Sequence, residues 1–312
     1  MEQVTTKLRV IFMGTPSIAL PALRVLAATE EVIMVVTQPD RPRGRGRNPS
    51  PPPVKELALE LGLPLLQPER IGEPAVVTSL KSQHPDLLVV AAFGQILPAA
   101  VLSIPHLGCI NIHPSLLPKY RGAAPINWSI INGDSKTGVT TMLMDEGMDT
   151  GDILLCEEVE IAEDETAEEL GERLAALGAT VLLKTIEQLK QDTLTPTPQD
   201  QKGGSYAPIL RKEDGFIHWD QDAHRIRNQI RGMVPWPVAF TFWEGKRLKV
   251  YRAKPGSGKG DPGAILALTP AIEVACGQNS LFIEELQIEG ARRMGWEEFV
   301  RGRRLTVGER LG

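Results

Sequence analysis

Asn111-Ile112-His113 is the segment of the chain best equipped to do chemistry. Cys109-Ile110 just before it has the pattern of a buried strand. Asn111 and His113 therefore leave one side of that strand near its carboxyl end, where open α/β sheets place their ligands. An amide can donate to an oxygen that is gaining charge, and an imidazole titrates near neutrality, which is the minimum equipment for acyl-type transfer. The same two residues also suit a strand end that is merely capped, with the imidazole bonded to a turn. A second polar cluster, Met144-Asp145-Glu146-Gly147-Met148-Asp149-Thr150-Gly151-Asp152, carries two glycines that permit a tight loop with a carboxylate turned inward. Asp149 is the expected acid, placed to orient the His113 ring and to stabilise its imidazolium. The Asp-x-Asp-x-Asp-Gly spacing of a calcium loop is absent from it.

A different chemistry is written between Gln38 and Ser50, where Arg41, Arg43, Arg45 and Arg47 alternate with Pro and Gly. Gly and Pro keep the segment out of regular structure, and guanidinium groups suit phosphate oxygens and base faces. It reads as a basic loop for a nucleic acid or a phosphate, against the plainer reading of a solvated surface loop. Charge is also unevenly divided. Residues 209–312 hold 17 Lys+Arg against 13 Asp+Glu, on a chain whose net charge is -5. That basic third is compatible with a polyanion partner.

Other chemistries lack their signatures. Gly14-Thr15-Pro16 stands where a dinucleotide fold would begin Gly-x-Gly-x-x-Gly, and it does not complete that pattern. The five histidines (84, 106, 113, 218, 224) and three cysteines (109, 156, 276) show neither His-x-x-x-His nor Cys-x-x-Cys spacing, so no metal site is expected. Odd, scattered cysteines make no disulfide framework and fit a reducing cytosol. With mean hydropathy -0.11 and no apolar run near the ~18 residues of a span, neither a membrane segment nor a targeting signal is expected.

The elements that must position these residues are legible as alternation. Apolar runs at 8–13, 31–37, 86–92 and 108–112 read as strands covered on both faces. Between them, 16–28, 54–61 and 74–82 have helical spacing, with Pro near their starts. The order β-α-β-α-β predicts a doubly wound parallel sheet. A long helix over 166–191, striped by Leu170, Leu174, Leu177, Val181 and Ile186, closes a first domain at residues 1–192. Residues 193–205 are short of large apolar groups and full of turn formers, and 193–208 read as a linker. Over 209–312, alternating runs at 239–243, 247–251, 263–268, 272–276 and 281–288, with turn chemistry at Glu244-Gly245 and Gly277-Gln278-Asn279, predict a small β-barrel, for which the oligonucleotide-binding type is one candidate that strand count alone does not distinguish from other small β folds.

Several segments, in order, resemble the methionyl-tRNA formyltransferases. They are Phe12-Met13-Gly14-Thr15-Pro16, the Gln38-to-Arg47 loop, Phe93-Gly94-Gln95-Ile96-Leu97-Pro98, Asn111 through Pro118, Tyr120-Arg121-Gly122-Ala123-Ala124-Pro125, Asp145 through Asp152, Arg231-Gly232 and Pro235-Trp236-Pro237. The resemblance implies a cytoplasmic, monomeric enzyme of translation initiation. It would transfer a formyl group from 10-formyltetrahydrofolate to the α-amino group of methionyl initiator tRNA. By that analogy Asn111 holds the formyl oxygen, His113 handles charge and proton transfer, and Asp149 orients His113. The folate would lie against Phe93, Gly94, Gln95, Ile96 and Leu97 and the Ser115-Leu116-Leu117-Pro118 loop. Arg41, Arg43, Arg45 and Arg47 would meet the tRNA acceptor end, and Lys212, Arg227, Arg231, Lys246 and Lys249 are barrel candidates by charge alone. A glycinamide ribonucleotide formyltransferase would need a phosphate-binding glycine loop and would end near residue 200. Sugar-nucleotide formyltransferases and folate-hydrolysing relatives share the two-domain plan but have no obvious use for the arginine loop. A catalytically silent RNA-binding module would not need Asn111, His113 and Asp149 together.

Overall fold

The structure, a computed structural model, describes residues 7–42, 49–200 and 202–312. In chain order its elements are β1 (Arg9–Gly14), α1 (Leu20–Thr29), β2 (Glu31–Val36), β3 (Arg41–Pro42), β4 (Pro49–Ser50), α2 (Pro53–Glu60), β5 (Leu65–Leu66), α3 (Pro74–Ser82), β6 (Leu87–Ala91), α4 (Ala99–Leu102), β7 (Cys109–His113), β8 (Arg121–Gly122), α5 (Pro125–Ile131), β9 (Lys136–Leu143), β10 (Ile153–Glu160) and α6 (Ala167–Lys190). There follow β11 (Tyr206–Ala207), α7 (Ala223–Gly232), β12 (Ala239–Trp243), β13 (Lys246–Gly256), β14 (Ile265–Ala267), β15 (Ile272–Ala275), β16 (Ser280–Ile288), β17 (Met294–Gly295) and α8 (Trp296–Gly302).

The first compact unit comprises residues 1–122, 137–159 and 171–206. Its sheet runs β10-β9-β7-β6-β1-β2-β5. From β5 through β7 every pairing is parallel, as the Val- and Leu-rich runs predict. The sheet is extended by two strands that the alternation did not reveal, for β9 joins β7 antiparallel, with Asn111 opposite Met142 and His113 opposite Thr140. Strand alternation divides the apolar groups between two cores. Val10, Phe12, Leu87, Val89 and Ile110 pack with Leu23, Leu26, Leu182 and Ile186 on one face, and Ile11, Met13, Leu88, Val90 and Cys109 pack with Leu80, Phe93 and Leu97 on the other. Gly178 lets α6 approach β7, because a Cβ there would press on Ile112 Cγ2 at 2.9 Å.

Residues 193–208 are not a bare spacer. Thr197 bridges Ile153, Gln199 is 7% exposed, and Ser205 Oγ accepts from Tyr120 N at 2.9 Å. The second unit gathers residues 123–136, 160–170 and 207–312, so the chain divides by packing and not at one point in sequence. Its antiparallel sheet, β12-β13-β16-β15-β14 with β17 on β16, curls into a half-barrel around Trp219, Ile226, Val250, Val274, Ile283 and Phe299. Its C-terminal residues bond to both edge strands, Gly308 N to Ile265 O and Gly312 N to Phe242 O. Helix α7, capped by Asp222, lies where the alternating-strand reading placed none; Ile226 and Ile230 bury one face of it. It meets α5 closely at Gly232, whose backbone oxygen accepts from Asn127 Nδ2 at 2.7 Å.

Candidate active site

Strand β7 delivers Asn111 and His113 to one side, as their spacing requires. His113 is only 4% exposed. Its Nε2 lies 2.9 Å from the carbonyl oxygen of Tyr120. A carbonyl only accepts, so Nε2 carries the proton of the neutral ring and Nδ1 presents a lone pair. Burial pushes the His113 pKa down, and the Asp149 carboxylate and the Tyr120 carbonyl pull in the opposite direction without reversing it. The ring is therefore an unprotonated base at neutral pH.

Asp149 sits in the hairpin loop between β9 and β10 at φ +53°, a left-handed conformation that costs any residue with a side chain. The loop is closed by Asp145, which accepts from Thr150 Oγ1 at 2.8 Å and from Gly147 N at 3.0 Å. Gly151 is required beside it, since a Cβ there would collide with the Leu143 carbonyl. The backward turn aims the Asp149 carboxylate at β7. Its Oδ2 accepts from Gly122 N at 2.8 Å and stands 3.7 Å from His113 Nδ1, and its Oδ1 lies 3.4 Å from Asn111 Nδ2. One carboxylate thus faces both polar groups of the strand. It does so at ion-pair distance from the imidazole, which leaves the Nδ1 lone pair unbonded. Cys109, two residues before Asn111, is no competing nucleophile, because burial pushes its thiol up to about 12.

The 93–97 and 115–118 segments divide by side chain. Phe93 and Leu97 are 2% and 3% exposed and belong to the sheet core, so they support the segment from behind and do not present a wall to a ligand. Gln95 is bound to the loop before α3, accepting from Ile71 N at 2.8 Å. Gly94 and Ile96 are the exposed members. Ser115 is fully buried, donating through Oγ to Lys119 O at 2.7 Å. Thr140 of β9, which sequence reasoning missed, donates to Ser115 O at 2.7 Å and accepts from Leu117 N at 3.2 Å, fixing that turn. Leu117 is buried, while Leu116 and Pro118 are half-buried. Gln199 was missed as well, because only the fold brings residue 199 to the Asp149 loop.

Among the basic candidates, Arg41 is exposed and pairs with Glu69 at 2.8 Å. Arg43, Arg45 and Arg47 lie outside the described residues. Just before β3, Asp40 accepts from Lys55 Nζ at 2.7 Å and from Gln67 Nε2 at 2.8 Å. Those two bonds, Gln67 first, hold the Asp40 carboxyl below its ordinary value. Lys212 and Lys246 are exposed and Lys249 half-buried. Arg227 and Arg231 correct the charge-only reading. They are 7% and 9% exposed. Arg227 donates to the Glu163 carbonyl and to Asp164 Oδ1, and Arg231 donates to the carbonyls of Ala162 and Glu165 at 3.3 and 3.2 Å. Spaced one helical turn apart, the two guanidiniums donate to the carbonyls of 162, 163 and 165 and to the Asp164 carboxylate. Among the described residues no group of three or more His, Cys, Asp or Glu could hold a metal, and no helix is long and apolar enough to cross a membrane.

Comparison with known proteins bears on the family and the fold. Residues 7–186 match the formyl transferase family model and residues 209–304 the model of the formyl transferase C-terminal domain. The methionyl-tRNA formyltransferase of Citrifermentans bemidjiense is 52% identical over 309 residues, covering 98% of this chain and 97% of its own. That of Geobacter metallireducens is 52% identical over 307 residues, covering 98% and 99%. Among solved structures, the sugar 3N-formyltransferase WlaRD superposes with TM-score 0.67 at 18% identity, covering 91% of this chain and 99% of its own. HypX from Aquifex aeolicus, in complex with tetrahydrofolic acid, superposes with TM-score 0.64 at 17% identity; 95% of this chain matches 47% of that one, about half its length. At such identities the two structures speak to the fold alone.

Proposed function

The chain belongs to the methionyl-tRNA formyltransferase family, and from that premise we propose how its own residues carry formyl transfer to methionyl-tRNA. The single observation behind the reading is the meeting of Asn111, His113 and Asp149 at the end of β7. The donor is 10-formyltetrahydrofolate and the acceptor is the α-amino group of methionyl initiator tRNA. As the amine nitrogen bonds to the formyl carbon, the formyl oxygen gains negative charge. The Asn111 amide carries two hydrogens, so one can rest on Asp149 while the other donates to that oxygen. The new ammonium must lose a proton, and the Nδ1 lone pair of neutral His113 receives it. Asp149 then faces an imidazolium at 3.7 Å and stabilises it. Cleavage of the bond between the formyl carbon and N10 of the folate returns that proton to the leaving nitrogen, and His113 is neutral again. No covalent enzyme intermediate is required, because the amine is itself the nucleophile.

The folate is proposed to lie along the exposed backbone at Gly94 and the exposed Ile96, with Ser115, Leu116, Leu117 and Pro118 shaping the opposite edge. Phe93, Gln95 and Leu97 hold the first of these segments in place from within. Arg41, Arg43, Arg45 and Arg47 are proposed to grip the tRNA acceptor end, and Lys212, Lys246 and Lys249 its phosphates. The enzyme is proposed to act as a cytoplasmic monomer. The test is formyl transfer from 10-formyltetrahydrofolate with methionylated initiator tRNA, methionylated elongator tRNA, free methionine, glycinamide ribonucleotide and a 4-amino-sugar nucleotide offered in parallel. Formylation confined to the initiator species is expected. Efficient formylation of the sugar nucleotide or the ribonucleotide would overturn the assigned acceptor, while folate turnover with no tRNA product would overturn the roles given to the basic residues.

A further inference from the structure

Gln199 uses all its hydrogen-bonding capacity on the neighbourhood of Asp149. Its Nε2 donates to the carbonyl of Asp149 at 2.9 Å and to that of Gly151 at 2.7 Å. Its Oε1 accepts from Arg121 Nε at 3.0 Å and from a second nitrogen of the same guanidinium at 2.7 Å. Only an amide can donate twice and also accept a forked guanidinium, so glutamate, methionine and lysine each fail part of the task. Asp149 itself stands in the left-handed region, a conformation that persists only where its surroundings hold it, and Gln199 binds the Asp149 carbonyl and the one two residues on. The next residue after Arg121 completes the clasp, because Gly122 N binds the Asp149 carboxylate itself. Backbone and side chain of the acid are thus held by one pair of chain segments, and the carboxylate faces Asn111 at 3.4 Å and His113 at 3.7 Å with no direct bond to the ring. At such distances the attraction between carboxylate and imidazolium depends steeply on placement.

We propose that Gln199, anchored by Arg121, is a positioning residue for formyl transfer that holds the Asp149 carboxylate in register with His113 and Asn111. The inference rests on the reading that Asp149 serves the reacting site. It gives the segment after α6 a part in the reaction that its turn-rich, apolar-poor sequence does not announce.

The test uses the full chain with Gln199→Met, Gln199→Glu, Asp149→Ala and the Asp149→Ala/Gln199→Met pair. Both Gln199 variants are expected to lower kcat about tenfold or more, with the KM for 10-formyltetrahydrofolate changed by less than about twofold. Once Asp149 is alanine, the added Gln199→Met is expected to cost less than about twofold, since the acid it serves is gone. NMR titration of the His113 imidazole, assigned by its loss in His113→Asn, should show the midpoint moving further down in Gln199→Met, because a displaced carboxylate favours the imidazolium less. Wild-type kcat in Gln199→Met overturns the proposal. So does a loss that multiplies fully onto Asp149→Ala, or a lost rate with an unmoved His113 titration, which would mark Gln199 as scaffolding only. Wild-type kcat in Asp149→Ala would instead overturn the catalytic reading, and the proposal with it. If Gln199→Met fails to fold, Arg121→Met leaves the amide in place without its anchor and is read by the same three criteria.

Discussion

The end of β7 and the helix α7 both display polar residues at regular spacing, yet spacing is informative in one and misleading in the other. On β7, Asn111 and His113 share a side because a strand alternates, and no distant contact is needed to bring them together. On α7, Arg227 and Arg231 also share a side, one turn apart, but that side faces the carbonyls of 162–165. Their charge is consumed inside the second unit. Local periodicity tells which residues act together; it does not tell whether they face a ligand or another part of the chain.

The largest expected effect tests the strand. Removing one oxyanion donor typically costs ~3–4 kcal/mol of barrier, so Asn111→Ala should lower kcat about a hundredfold or more while the unfolding midpoint hardly moves. Single-turnover formylation measures it. A rate within about fivefold of wild type would reduce Asn111 to the strand cap that its sequence also allows. The helix should answer in the opposite currency. Arg227→Ala strips two hydrogen bonds from a guanidinium that is 9% exposed, although its partner Asp164 is 57% exposed and solvent screens part of that attraction. A loss of about 1–3 kcal/mol in urea unfolding is expected, with the KM for tRNA unchanged below the transition. A raised KM at unchanged stability would restore Arg227 to the tRNA-binding surface and remove the contrast.

The same distinction explains what the sequence made legible. The parallel strands β1, β2, β6 and β7 and the helices between them follow from apolar runs and proline placement, because each is fixed by residues within a few positions. The strands β9 and β10, at one end of the sheet, do not show in that alternation. Thr140 and Thr141 interrupt the apolar pattern of β9 with hydroxyls, yet are buried because Thr140 bonds to the 115–117 turn and Thr141 to Thr185 of α6. Helix α7 was hidden by its composition, since four of its ten residues are Arg or His, and the burial of two arginines depends on carbonyls more than 60 residues away. Within the site, Asn111, His113 and Asp149 were legible by type and spacing. Thr140 and Gln199 were not, because what they do depends on partners 25 and 50 residues distant in sequence.

A smaller effect sharpens the account of the strand. Burial keeps the folded His113 below its ordinary 6.5. As pH falls past 6.5, the unfolded chain takes up a proton that the folded ring refuses, so the folded state loses stability on the acid side and none on the alkaline side. Relative to His113→Asn, wild type should lose at most about 1.4 kcal/mol per pH unit below that value, and nothing between pH 7 and 8. Urea unfolding of the pair at pH 5.5 and 7.5 decides it. Equal differences at the two pH values would mean that folding leaves the proton affinity of the ring unchanged, and that burial is not what keeps it a free base.

The smallest effect concerns the cations that the second unit leaves outside. Lys246 is exposed at the start of β13. Lys246→Ala should therefore leave stability within about 0.5 kcal/mol of wild type. If Lys246 meets a phosphate, the same change should raise the KM for methionyl-tRNA severalfold at low salt, and the penalty should shrink as salt rises, because one fewer counterion is released on binding. The salt slope of log KM is the more decisive quantity. A contact through hydrogen bonds alone would raise KM without altering that slope, whereas a phosphate contact should flatten it by about one unit per cation removed. Arg227→Ala, measured in the same series, should leave the slope unchanged. If both substitutions flatten it, the guanidiniums folded against 162–165 still reach the tRNA, and structural and ligand-facing charge on the second unit are not separate.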